Sequence, residues 1–177
     1  PRAVRDCLQE IERASQKAAE LTRQLLAYAG KGRYIVEPVD ASATIQEMGS
    51  LLRSAVSRSA SLQLELPSTV PPIEVDVNQF RQVVMTLVTN ASDALGEGQG
   101  VISVLTGRQT VTAEYLAACV PGSTAVPGSY VFVEVRDTGI GMDAATRHRM
   151  FEPFFSTKFT GRGLGLAAAI GIIRSHG

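Results

Sequence analysis

The tightest constraint on this chain lies in residues 130–142, where the run Val131-Phe132-Val133-Glu134-Val135 breaks into Asp137-Thr138-Gly139-Ile140-Gly141-Met142. Alternation puts Val131, Val133 and Val135 on one face, so the run reads as a half-buried strand whose C-terminal end is held in a fixed place. Asp137 then sits at a rigid rim. Gly139 and Gly141 lack a Cβ, which permits unusual dihedrals and lets a flat ligand come close to the main chain. An ionised carboxylate only accepts hydrogen bonds, so Asp137 would select an amino group such as the exocyclic amine of adenine. Two other readings compete. Asp-Thr-Gly is ordinary turn chemistry, and aspartic proteases use the same triplet, with two carboxylates sharing one proton. No second Asp-Thr-Gly occurs, so the protease would have to be a homodimer of a nearly all-β chain, against the helical patterns elsewhere.

Those patterns begin at the first residues. Val4, Cys7, Ile11, Ala14, Ala18, Leu21, Leu25 and Tyr28 recur in steps of three and four, as in a coiled-coil seam, and Gly30 and Gly32 supply a stop. A lone helix cannot bury such a seam, so it calls for another helix, in a second subunit or a neighbouring segment; packing on its own domain is the alternative. Residues 33–36 read as a short strand. Asp40 or Ser42 can cap one helix carrying Ile45, Met48, Leu52 and Val56. Leu62, Leu64 and Leu66 alternate with polar residues as a half-buried strand does, and residues 73–75 form another. Asp76 caps a helix whose inward face collects Phe80, Val83, Val84, Leu87, Val88, Ala91 and Leu95, and Gly96, Gly98 and Gly100 end it. A strand over 101–105 follows. Residues 109–129 read as a long surface connection between two antiparallel strands, with a short helical piece around 113–118. Asp143 can cap a short helix through Arg149.

Composition narrows the class. With 177 residues, 45% of them hydrophobic, the chain can bury one sizeable core beside a helix but hardly two full domains. Seventeen basic and seventeen acidic residues cancel, so nothing global draws it to nucleic acid or an anionic membrane. Two cysteines make no disulfide framework and no metal spacing, which fits a reducing, cytoplasmic setting. No apolar run approaches a membrane span. The chain opens and closes inside helical pattern and is expected to be a piece of a longer protein, which leaves room for a membrane anchor in the parent.

Further residues carry chemistry. The glycine-rich stretch Gly161-Arg162-Gly163-Leu164-Gly165-Leu166 opens a helix, presenting backbone N–H groups at the positive end of a helix dipole, which suits phosphate oxygens. Lys158 and Arg162 add positive charge. The spacing is neither the P-loop nor the dinucleotide fingerprint. Asn90 interrupts an apolar helix face. It is either a buried amide satisfied by backbone or a neutral oxygen ligand for Mg2+.

Taken in order, these stretches resemble the catalytic ATP-binding domain of sensor histidine kinases, in the GHKL superfamily that includes type II topoisomerases and mismatch-repair ATPases. Residues 82–95, QVVMTLVTNASDAL, are similar to its N box, residues 137–142 to its G1 box, residues 151–158, FEPFFSTK, to its F box, and residues 161–166 to its G2 box. The resemblance implies the Bergerat fold, a two-layer α/β sandwich with a mixed, largely antiparallel sheet, over residues 32–177 with its final strands missing. It also implies that residues 1–31 are the second helix of a dimerisation and phosphotransfer hairpin, which would make the parent a homodimer through that helix. ATP and Mg2+ would bind between the helical layer and a lid over roughly 143–161. On this analogy Asp137 holds adenine, Asn90 holds Mg2+, and Asp93, Gly139, Gly141, Thr157, Lys158, Gly161, Arg162, Gly163, Leu164 and Gly165 complete the nucleotide site. The parent would transfer the γ-phosphoryl group of ATP to a histidine and then to an aspartate of a response-regulator receiver domain.

The chain departs from the family pattern in informative places. The family's phosphoacceptor histidine belongs on a preceding helix; His148 in the lid and His176 near the end do not match it and read as surface residues. Position 86 is Thr, where many kinases have Asn and the hydrolysing relatives have Glu. Asp93 stands where many kinases place a basic residue. The alternatives are therefore an ATPase or conformational clamp of the same superfamily, and a non-catalytic interaction module with a degenerate pocket.

Overall fold

The computed structural model describes residues 2–28, 35–119, 125–158 and 163–176. A long helix precedes a two-layer α/β sandwich, in the order α1 (Arg2–Tyr28), β1 (Glu37–Val39), α2 (Ala41–Glu47), α3 (Gly49–Ala55), β2 (Ala60–Glu65), β3 (Ile73–Val75), α4 (Val77–Leu95), β4 (Gly100–Val111), α5 (Ala113–Ala117), β5 (Gly128–Asp137), α6 (Ala144–Arg149) and α7 (Gly165–His176). The sheet is mixed. β4 is its central strand, with β2 parallel on one side and β5 antiparallel on the other, while β1 and β3 form a separate antiparallel pair.

Register aims one face of the sheet at the helices. Leu62 and Leu64 lie opposite Ile102 and Val104, which in turn lie opposite Asp137 and Val135, so these side chains share a face by the two-residue period of a strand. Ile102 and Val104 are fully buried there. α4 lays Phe80, Val84 and Val88 onto this face, joined by Ile45 and Leu52 from α2 and α3. Its next stripe, Val83 and Leu87, packs with Ala169 and Ile172 of α7. The inward face read from helical spacing thus serves two neighbours, and α4 is pinned between sheet and α7.

Several expectations shift. The strand placed at 33–36 begins instead at Glu37, opposite Val75, and Arg33 and Tyr34 lie outside the described residues. Ile35 precedes the ladder and donates its N–H to Asp76 Oδ2 at 2.9 Å; Pro38, which has no N–H, is tolerated in a two-stranded ribbon. The single helix expected after Asp40 divides at Met48, before Gly49, a poor helix former. Asp40 is its cap, accepting the Ala43 N–H at 2.9 Å. Ser42 is buried, its hydroxyl 2.7 Å from that of Thr106 and 2.9 Å from the Pro67 carbonyl it donates to. The long connection is shorter than expected, because Gln109, Thr110 and Val111 still pair with Tyr130, Ser129 and Gly128.

The first helix answers both readings in part. α1 comes against α7, yet Val4 and Ile11 of its seam remain more than half exposed, and Cys7, Ala14 and Ala18 are exposed too. Gly30, Gly32 and the side chains of Leu21, Leu25 and Tyr28 lie outside the described residues. His176 is not a free surface residue: its Nε2 accepts the Asp76 N–H at 3.0 Å and its Nδ1 lies 2.8 Å from the Ile172 carbonyl. Among the described residues no helix is long and apolar enough to cross a membrane.

Candidate functional site

A cavity of about 660 Å³ opens where α4, the end of β5, α6 and the start of α7 meet. Asn90 and Asp93 reach it from α4, Asp137 from β5, Gly141 from the elbow, Thr157 and Lys158 from the segment after α6, and Gly163, Leu164 and Gly165 from the entry to α7. Residues far apart in sequence therefore converge. Gly139 is not among the lining residues, and Gly161 and Arg162 lie outside the described residues.

Alternation explains the aim of Asp137. Val133, Val135 and Asp137 continue one face, the face that Ile102 and Val104 turn toward α4, while Glu134 and Arg136 pair with each other on the other face at 2.6 Å. The Arg136 hydrogen bond holds the Glu134 carboxyl below its usual range. Past the strand the elbow is locked at several points. Asp137 Oδ1 accepts the Gly139 N–H at 2.9 Å, Ile140 donates its N–H to the Ala94 carbonyl at 3.1 Å, and Thr138 bonds Val101 through both its N–H and its hydroxyl. Gly139 is required for a reason other than ligand approach. A Cβ there would lie 2.6 Å from the backbone carbon and oxygen of Ala94, so the missing side chain is what lets the elbow sit on α4.

The opposite wall begins with Asp143, which caps α6 by accepting the Thr146 N–H at 2.7 Å; that bond lowers the Asp143 carboxyl pKa. Arg149 pairs with Glu152 at 2.9 Å and stacks 4.2 Å from the centre of the Phe155 ring, which keeps that ring against the cavity. The glycine loop interlocks with the Phe-rich string. Phe154, itself at φ 67, donates its N–H to the Gly163 carbonyl at 2.9 Å. Gly163 has φ +65, and a Cβ on it would meet Phe154 and Phe155 backbone at 2.4 Å. Gly165 faces Thr86 and Asn90: its Cβ would lie 3.2 Å from the Thr86 methyl and 4.0 Å from the Asn90 side-chain nitrogen. Both α4 side chains thus lie on one helix face, as their spacing of four requires.

Charge at the site is sparse. Among the described lining residues Lys158 is the one cation and Asp93 and Asp137 are the anions. Lys158 Nζ donates to Asp93 Oδ2 at 2.7 Å. Among the described residues no group of three or more His, Cys, Asp or Glu side chains could hold a metal ion. A divalent cation here would need oxygens from a bound ligand and water beside Asn90. That is the habit of Mg2+, which keeps waters and takes few protein ligands, so the donor set fits it.

Sequence reasoning missed the apolar part of the wall. Leu87 and Ala91 were legible only as core, yet with Asn90 and Ala94 they form the α4 stripe that lines the cavity. Thr146 and Met150 were not singled out. Their spacing of four after the Asp143 cap puts Thr146 of α6 and Met150, the helical residue that caps its end, on one face, and that was the available signal.

Comparison with known proteins gives this geometry relatives. Residues 75–177 match the family described as histidine kinase-, DNA gyrase B- and HSP90-like ATPase. The chain is 35% identical over 172 residues to the sensor kinase CckA of Brucella abortus, covering 96% of this chain and 18% of that protein. It is 28% identical over 170 residues to the sensor histidine kinase ZraS of Escherichia coli, covering 96% of this chain and 32% of that protein. The chain thus spans under a third of either relative's length. Among solved structures, full-length ShkA in complex with AMPPNP superposes with a TM-score of 0.68 at 21% identity, covering 97% of this chain and 34% of that one, a likeness of fold.

Proposed function

Because this chain belongs to the histidine kinase-, DNA gyrase B- and HSP90-like ATPase family, we propose that its cavity binds ATP with Mg2+ and serves as the catalytic ATP-binding part of a sensor histidine kinase. The observation that carries this reading is convergence: Asn90 of α4, Asp137 of β5, and Lys158 and Gly163 of the stretch before α7 come from three separated parts of the chain and line one cavity. Asp137 accepts the exocyclic amine of adenine, and its bond to the Gly139 N–H keeps the carboxylate oriented without a ligand. The apolar wall of Leu87, Ala91, Val135 and Met150 excludes water from the base. Phosphates lie toward Lys158 and the N–H groups that open α7, where helix dipole and ammonium both favour negative charge. When bound, Mg2+ neutralises phosphate charge, and Asn90 is the side chain that holds it from the protein side.

The parent protein moves the γ-phosphoryl group to a histidine on another segment and then to a receiver-domain aspartate of a response regulator. Its relatives' names as sensor kinases support this. Residues 1–31 serve as one helix of a dimerisation hairpin, a role supported by the exposed seam of α1. The competing ATPase or clamp is disfavoured by Thr86, because a threonine hydroxyl is no general base near neutral pH.

Calorimetric titration of the chain with ADP or ATP, with and without Mg2+, tests the proposal. Saturable binding of one nucleotide per chain, strengthened by Mg2+, is expected. A folded chain, verified by circular dichroism, that gives no heat with either nucleotide would overturn it.

A further inference from the structure

We propose that the Asp93–Lys158 ion pair is a phosphate-operated latch: Lys158 exchanges Asp93 for a nucleotide phosphate, so Asp93 sets how strongly the site favours phosphorylated nucleotide over bare nucleoside. The inference rests on the nucleotide reading above and adds to it a residue whose charge opposes binding.

The pair joins two walls of the cavity. Asp93 lies on α4 one turn beyond Asn90, and Lys158 lies 65 residues later, where the chain leaves the Phe-rich string. Lys158 is held from its own side as well: its N–H donates to the Ser156 hydroxyl at 3.1 Å, which fixes the backbone that carries the ammonium. The described lining residues offer one cation against two carboxylates. Asp137 is engaged by the Gly139 N–H, and Asp93 is the carboxylate paired with Lys158, so Asp93 is the group that yields Lys158 to an entering polyphosphate.

Exposure makes the exchange cheap. The Lys158 side chain is 37% exposed and that of Asp93 56%, so water solvates the released carboxylate and the pair itself is weak. A phosphate offers Lys158 a stronger, charge-assisted partner. The latch therefore closes the wall without ligand and opens at small cost.

The test titrates ATP and adenosine, in EDTA and in Mg2+, into the wild type, Asp93→Asn, Lys158→Ala and the double variant. Asp93→Asn is expected to tighten ATP binding about two- to five-fold, the worth of a partly exposed ion pair, and to raise the ratio of ATP to adenosine affinity by the same factor. In the Lys158→Ala background that gain should vanish. An equal gain in both backgrounds would reduce Asp93 to simple charge repulsion and overturn the latch, as would ATP affinity that is unchanged or weakened by Asp93→Asn. Failure of both ATP and adenosine to bind any variant would overturn the nucleotide site and the latch together, whereas failure of the latch alone leaves adenosine binding intact.

Discussion

Gly163 and Gly141 share a left-handed backbone, at φ +65 and +67, but differ in what surrounds them. Nothing lies within 4 Å of a Cβ placed on Gly141, whereas one on Gly163 would strike the backbone of Phe154 and Phe155. Gly141→Ala should therefore cost only the left-handed penalty, about 1–2 kcal/mol. Gly163→Ala should add a steric term of about 1–3 kcal/mol, because the atoms it meets are main chain and cannot rotate away. Urea unfolding of the two variants measures this, and equal losses would show that the interlock of loop and Phe-rich string yields easily. At this scale the sequence was only partly legible. The glycines stood out, but Gly139 looked like a place for ligand approach when its neighbour is Ala94, a contact that depends on how the elbow lands on α4.

Asp76 holds elements together. Its carboxylate accepts the N–H groups of Asn78 and Gln79 at the head of α4 and that of Ile35 before β1, while its own N–H reaches His176 at the end of α7. Partial burial pushes its carboxyl pKa up, but the N–H groups of Ile35, Gln79 and Asn78 outweigh this and leave it lowered. A lowered carboxyl stabilises the fold fully above the unfolded value, about 3.9, and loses that contribution as pH falls through the folded value. Asp76→Ala should cost about 1–2 kcal/mol at neutral pH, as lost N-caps do, with the difference from wild type shrinking below about pH 4. Urea melts at pH 7 and pH 3 check this; a gap that persists in acid would mean that the carboxylate charge is not what matters. The caps at Asp76 and Asp143 were readable, and the one at Asp40 down to a choice with Ser42, because capping is local. The buried Ser42–Thr106 pair and the start of β1 were not, because each is decided by a partner distant in sequence, whereas the division at Met48 had a local signal in Gly49 that the apolar spacing masked.

The same α4 carries the test of what the site does with ATP. Thr86 and Asn90 face the start of α7, and the nearby carboxylate of Asp93 is engaged by Lys158. The chain should turn ATP over very slowly, and Thr86→Glu should raise hydrolysis by roughly 10²-fold or more, the usual worth of a positioned base. A phosphate-release assay reads it. Brisk turnover by the unmodified chain, lost on Asp93→Asn, would favour the hydrolysing alternative.

Across the whole molecule, the function is a property of convergence. Order of motifs along the chain was enough to suggest a nucleotide site, and the break from strand to elbow put Asp137 at its rim, while the face it points from follows from the pairing of β4 and β5. The apolar wall and the Asp93–Lys158 pair were invisible, because they join segments that only the folded α4, α6 and α7 bring together. Neither histidine lines the cavity: His148 is exposed in the last turn of α6, and His176 is tied to Asp76. Incubation with γ-labelled ATP should leave no acid-labile phosphate on either histidine, and a labelled peptide containing one of them would place the chemistry elsewhere. The most direct measurement of the central claim is the affinity of ADP and GDP for the wild type and for Asp137→Asn. The wild type should prefer ADP, since guanine presents a carbonyl where adenine presents its amine, and Asp137→Asn should weaken ADP binding by roughly ten- to a hundred-fold, the worth of a hydrogen bond to a charged group. Equal affinity of the wild type for both nucleotides, or ADP binding untouched by the substitution, would contradict the assignment of the cavity as an adenine site anchored on Asp137.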